Sequence, residues 1–189
     1  MNTRFLAVLL LFGVLGAHAA DTSVHTEAQA AAEPLKTIAS LDVPRYMGTW
    51  HEIARYPNWF QKKCASHSMA EYSLLRDGHV QVINRCRKAD GEWMEAIGEA
   101  RQVGPATSPK LEVRFAPSWL SFLSFVWGNY WVIDLDEAYQ LVAVSEPDRE
   151  YLWILSRSPR VDPVSYEALL SRLRQQGFDL GKLEVTRQE

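Results

Sequence analysis

Between residues 49 and 157, apolar and polar side chains alternate in short runs, each ended by a turn signal. A period of two predicts strands, not helices. Eight runs stand out: 49–56, 68–76, 79–87, 92–102, 110–116, 129–135, 139–145 and 151–157. Asp77-Gly78 and Asp90-Gly91 are two-residue hairpin signals. Gly104-Pro105, the Asp136 region and Glu146-Pro147-Asp148 punctuate the later runs, and a long polar connection runs from Pro57 to about Ser66. Past residue 160 the period changes. Asp162 suits an N-cap, Pro163 suits the first helical position, and Tyr166, Leu169, Leu170 and Leu173 form one apolar stripe before Gly177. Leu183 to Thr186 suits a short final strand. The pattern predicts an all-β fold: an eight-stranded antiparallel up-and-down barrel with one C-terminal helix packed outside.

Alternation also assigns faces. The inward set is expected to hold Ala70, Tyr72 and Leu74; Val80, Val82, Asn84 and Cys86; Leu111, Val113 and Phe115; Tyr130 and Val132; and Trp153, Leu155 and Arg157. Met94, Ala96, Gly98 and Ala100 form a run of mostly small inward residues, which leaves room for a ligand. The first strand places Trp50, Glu52, Ala54 and Tyr56 on one face. An inward Glu52 is costly unless it is hydrogen-bonded. It is either a structural partner near the barrel floor or a polar anchor for a ligand headgroup. Gly48-Thr49-Trp50 opens the first strand and Arg157 closes the eighth. They meet only if the sheet closes on itself, with the guanidinium stacked on the indole. A closed eight-stranded barrel can hold one small ligand.

With Trp50 at the floor, the connections after the first, third, fifth and seventh strands lie at the mouth. Cys64 and Cys86 both fall there, and a bridge between them would pin the long first connection to the rim. The connection Ala116 to Trp127 carries no charge, although it includes Trp119, Phe122 and Phe125. Surface loops are seldom so apolar. It is expected to fold down as a lid, or to serve as a membrane-contacting or dimer-forming lip.

Composition sharpens the picture. The first 20 residues have a basic Arg4, an apolar run from Phe5 to Leu15 and an Ala17-His18-Ala19 cleavage signal, which suits a secretory leader too short to span a bilayer. Residues 21–40 suit a flexible linker, and 41–189 the folded domain. Losing Arg4 leaves 19 basic against 23 acidic residues, a net charge of −4 that gives no footprint for nucleic acid. Export favours a disulfide between the two cysteines. The leader contains no cysteine for lipidation, so a soluble protein, periplasmic or secreted, is expected. No G-x-S-x-G, G-x-G-x-x-G or P-loop motif is present. A zinc site using Cys64, His67, His79 and Cys86 fails on geometry, because His79 and Cys86 lie roughly 23 Å apart along one strand. No catalytic residue, metal or cofactor is expected.

Gly48-Thr49-Trp50, the turn Leu135-Asp136-Glu137-Ala138-Tyr139, and Arg157 resemble the three signature regions of the lipocalins. The stretches Tyr46 to Pro57 and Tyr151 to Pro159 are similar to the bacterial branch, related to apolipoprotein D. The resemblance implies binding of fatty acids, lysophospholipids or similar apolar molecules, with Tyr72, Asn84 and Trp153 at pocket positions. Met94, Phe115, Tyr130 and Tyr56 complete the expected ligand-binding set. The expected role is carriage or storage of such ligands in envelope lipid maintenance. The alternatives are an interaction protein docking through the 116–127 connection and, further off, an isomerase.

Overall fold

The computed structural model describes residues 33–188, so the expected leader and residues 21–32 of the expected linker lie outside the described residues. Eight strands follow one another closely to the expected boundaries: β1 (Gly48–Arg55), β2 (Ser66–Leu74), β3 (Val80–Arg87), β4 (Trp93–Gln102), β5 (Lys110–Arg114), β6 (Gly128–Leu135), β7 (Leu141–Ser145) and β8 (Leu152–Ser156). Each pairs antiparallel with the next, β8 returns to β1, and β1 also pairs with β2, so the barrel is closed. In register, Trp50 faces Ala70 of β2 and His51 faces Ser156 of β8.

The described part of the 21–40 segment packs on the barrel. Leu35 is buried and the Ile38 N–H donates to the Val132 carbonyl at 3.1 Å. A single turn, α1 (Val43–Tyr46), is capped by Asp42 and crosses the floor, burying Val43 and Tyr46. The long helix α2 (Pro163–Gln175) starts where Asp162 accepts from the Ser165 backbone and hydroxyl, at 2.9 and 2.8 Å. It ends at Gly177, whose φ of +86° suits a residue without a Cβ. Leu169 and Leu173 bury against Ala54, Ile133, Ala143 and Ile154 on the barrel exterior.

Three register shifts interrupt the ladders, one at the start of β2 between Ser66 and Met69 and two inside strands whose faces they change. Of these two, one lies between Glu52 and Ala54 in β1, the other between Val132 and Asp134 in β6. An inserted residue reverses the facing of everything after it. Trp50 and Glu52 therefore face inward, whereas Ala54 and Tyr56 join the exterior cluster under α2. Tyr56 donates to the Asp179 carbonyl at 2.8 Å and is corrected from a ligand residue to a helix-packing one.

Beyond His51, β1 and β2 separate. The chain end fills this seam: β9 (Glu184–Val185) pairs with β1. The Thr186 N–H donates to Ile53, and His67 of β2 donates to the Arg187 carbonyl. The Gln188 amide bonds to the carbonyls of both Glu52 and Ser68, at 2.7 and 2.9 Å.

Candidate ligand-binding site

The barrel encloses a cavity of about 830 Å³, open at the mouth. Its floor is built first by Trp50 and Arg157. The guanidinium carbon sits 4.0 Å from the indole ring centre, and the guanidinium donates to the carbonyls of Thr49 (2.9 Å), Arg45 (3.1 Å) and Tyr46 (3.1 Å). The indole N–H donates to the Tyr46 carbonyl at 2.9 Å. Gly48 is required here: its φ is +94°, and an added Cβ would stand 3.3 Å from an Arg157 nitrogen.

Above that floor, three tyrosines converge. The Tyr130 hydroxyl lies 2.7 Å from that of Tyr46 and 3.0 Å from that of Tyr72. Burial raises all three phenols, lifting Tyr72 from 10.0 to about 12. They are neutral hydrogen-bonding groups at physiological pH.

Higher up, Asn84 lies in register between Ala70 of β2 and Ala96 of β4. Met94, Ala96 and Ala100 line the wall as their size suggests. Gly98 does not leave open space. A Cβ there would meet the Arg114 carbonyl at 2.6 Å and the Phe115 ring at 2.7 Å, so Phe115 lies across it. Arg114, next to Phe115, is buried without bordering the cavity. It binds Glu99 at 2.9 Å and the Ala116 carbonyl at 2.6 Å, beneath Trp127.

At the mouth, the first connection contributes Trp59, Phe60 and Gln61. Phe60 contacts the rings of Tyr151 and Trp153. Trp153 donates to Gln61 at 3.0 Å, and Gln61 donates to Glu52 at 2.7 Å. Glu52 also accepts from Arg55 and Thr186, both at 2.6 Å. Its carboxylate is thus held by β1 itself, the first connection and the segment after Leu183, as a structural hydrogen-bond partner. Cys64 and Cys86 form a disulfide, with Cα atoms 5.5 Å apart, tying that connection to the end of β3. Neither sulfur offers a thiolate to a metal.

The 116–127 connection forms two short 3₁₀ turns. Trp119, Phe122 and Phe125 are 72%, 77% and 81% exposed. Trp127 turns back over Arg101, 4.1 Å from its guanidinium, on the outer wall. Only Ala116, Phe125 and Val126 of this segment border the cavity.

Tyr72, Asn84, Met94, Phe115, Tyr130 and Trp153 all border one cavity, and Tyr56 does not. Sequence reasoning missed Tyr46, Trp59, Phe60 and Gln61. The adjacent aromatic pair in an otherwise polar connection was the available signal for two of them.

A family model described as a lipocalin-like domain matches residues 41–188. Temperature-induced lipocalin-1 of Arabidopsis thaliana is 36% identical over 156 residues, 82% of this chain and 83% of that protein. Outer membrane lipoprotein Blc of Escherichia coli (strain K12) is 38% identical over 146 residues, 77% of this chain and 78% of that protein. Among solved structures, the cockroach allergen Per a 4 superposes with a TM-score of 0.63 at 20% identity, covering 82% of this chain and 92% of that one.

Proposed function

The chain belongs to the lipocalin family, and on that premise we propose that it carries single-chain lipids, fatty acids or lysophospholipids, in the cell envelope. Binding of a small hydrophobic ligand is the family's general activity. The observation that carries the finer reading is the open, mainly apolar cavity of about 830 Å³. Burial of an acyl chain there is driven by roughly 0.8 kcal/mol per methylene. Residues 1–20 act as a leader, residues 21–40 as a linker and residues 41–189 as the lipocalin domain. The Cys64–Cys86 disulfide supports an oxidising compartment, and we place the protein soluble in the periplasm or outside the cell.

The reading is of a carrier, not a catalyst. Cys64 is held in a disulfide, and Glu52 is ion-paired with Arg55, so the two groups best suited to chemistry are engaged. Titration of a fluorescent fatty acid into the purified mature protein tests the reading. Saturable quenching of tryptophan emission is expected, and its absence rejects the function. A second reading rests on the exposure of Trp119 and Phe122: the mouth also docks on a lipid surface.

A further inference from the structure

The three floor hydroxyls hold one proton more than they can use among themselves. Each phenol carries one O–H donor and can accept. Tyr46 and Tyr72 each bond to Tyr130, giving two hydrogen bonds among three protons. If both outer phenols donate, the Tyr130 proton is left over. If the chain runs one way, the Tyr72 proton is left over; if the other way, that of Tyr46. Every arrangement leaves one donor without an acceptor among the described residues. Leaving a buried donor unmade costs about 1–3 kcal/mol.

The surroundings say what would satisfy it. Tyr46, Tyr72 and Tyr130 all border the cavity. The charged side chains that touch the cavity wall are engaged. Glu52 holds Arg55, Gln61 and Thr186, Arg85 binds Glu71 and Glu95, and Glu146 accepts from the backbone of its own turn. Burial disfavours negative charge at Tyr46 and Tyr72; the Arg157 guanidinium behind the floor offsets part of that, and Glu52 opposes it at Tyr72. The floor is therefore a neutral hydrogen-bond donor site.

We propose that the cup takes fatty acids and their simple esters head-first, seating the acceptor oxygen of the carboxyl or ester group on the Tyr46–Tyr130–Tyr72 hydroxyls while the chain extends toward the aromatic mouth. This rests on the carrier reading above and narrows it. A carboxyl or ester is small and accepts hydrogen bonds. A phosphocholine head is bulky and strongly hydrated, so a lysophospholipid enters tail-first and leaves its head at the mouth.

Displacement of a fluorescent probe by laurate, methyl laurate, n-dodecane and lauroyl-lysophosphatidylcholine tests this on the mature protein. In the triple variant Tyr46→Phe, Tyr72→Phe, Tyr130→Phe, laurate and methyl laurate are expected to weaken about three- to tenfold, the worth of one hydrogen bond. Dodecane and the lysophospholipid are expected to hold their affinity. Removing all partners together with isosteric rings keeps the fold close to neutral. The single variant Tyr46→Phe leaves two hydroxyls, one bond and still one spare proton, so the ester preference survives it. Equal losses for all four compounds, or none, overturn the proposal while leaving the carrier reading intact. If no compound displaces the probe, both fall. Independently of any variant, the carbonyl stretch of carbon-13-labelled methyl laurate is expected to shift to lower frequency on binding wild-type protein. An unshifted band overturns head-first entry.

Discussion

Glu52 and Tyr56 stand four residues apart in β1, and the bulge between them sends one into the cup and the other beneath α2. Nothing in the local composition announces such an insertion, so strict alternation misassigned Tyr56. Trp50 and Arg157 were legible because closure of an eight-stranded sheet brings the first and last strands together, and their contact measures 4.0 Å. Tyr46 was not legible. It sits on a one-turn helix, where neither a period of two nor of 3.6 has room to show. Its effect is nevertheless testable with its two neighbours. Burial raises Tyr72 from 10.0 to about 12 and raises Tyr46 and Tyr130 in the same direction. The folded state thus favours the neutral phenols. The Tyr72 contribution to stability is complete below pH 10 and is lost as the pH climbs through its folded value near 12, and Tyr46 and Tyr130 act in the same direction. Urea midpoints should stay level with respect to these groups up to pH 10 and fall above it, with tyrosinate absorbance appearing alongside unfolding. The triple phenylalanine variant should show a much shallower fall. An equal fall in both proteins would assign alkaline sensitivity to other groups.

The strands and α2 were readable because their periods are sustained and their ends carry turn or capping residues. Two segments were not. The 57–66 connection is mostly polar, which hid Trp59 and Phe60 at the cavity rim. The chain end after Leu183 looks like a minor addition, yet it seals the seam between β1 and β2 and helps hold the Glu52 carboxylate. Such long-range closure has no local signature. The disulfide was legible, since strand direction placed both cysteines at the mouth. Its role belongs to the connection it restrains. The bridge spans a sequence separation of 22 residues, and loss of it in a Cys64→Ala, Cys86→Ala variant should cost about 3 kcal/mol in the chain-entropy model. Hydrogen exchange should accelerate over residues 57–66 and leave α2 unchanged, and bound lipid should dissociate faster. Unaltered exchange in that connection would show that Phe60, Tyr151 and Trp153 hold it without the bridge.

Across the described domain, exposed Phe and Trp side chains are concentrated at one end. Every exposed Phe or Trp side chain among the described residues, namely Trp59, Phe60, Trp93, Phe115, Trp119, Phe122 and Phe125, lies on a mouth connection or at a mouth-side strand end. The floor instead carries Arg45, which donates to the Glu137 carbonyl and lies over Tyr139, and Arg157, stacked on Trp50. A cup that loads lipid benefits from this asymmetry, because its opening can meet an apolar surface without first exposing the acyl chain to water. The uncharged 116–127 segment would make that contact by burial of apolar area more than by charge. Lys62 and Lys63 are the exposed cations of the adjacent connection. Wild-type protein should therefore float with phosphatidylcholine vesicles and keep most of that binding in high salt. The Trp119→Ser, Phe122→Ser variant should lose it while retaining fatty-acid affinity, since neither side chain borders the cavity; Phe125, which does, is left in place. Vesicle binding that survives the double variant would move the contact to Trp59 and Phe60. If wild-type protein instead ignores vesicles but self-associates through these rings, a second copy of the chain covers the mouth, and ligand exchange must then wait on dimer dissociation.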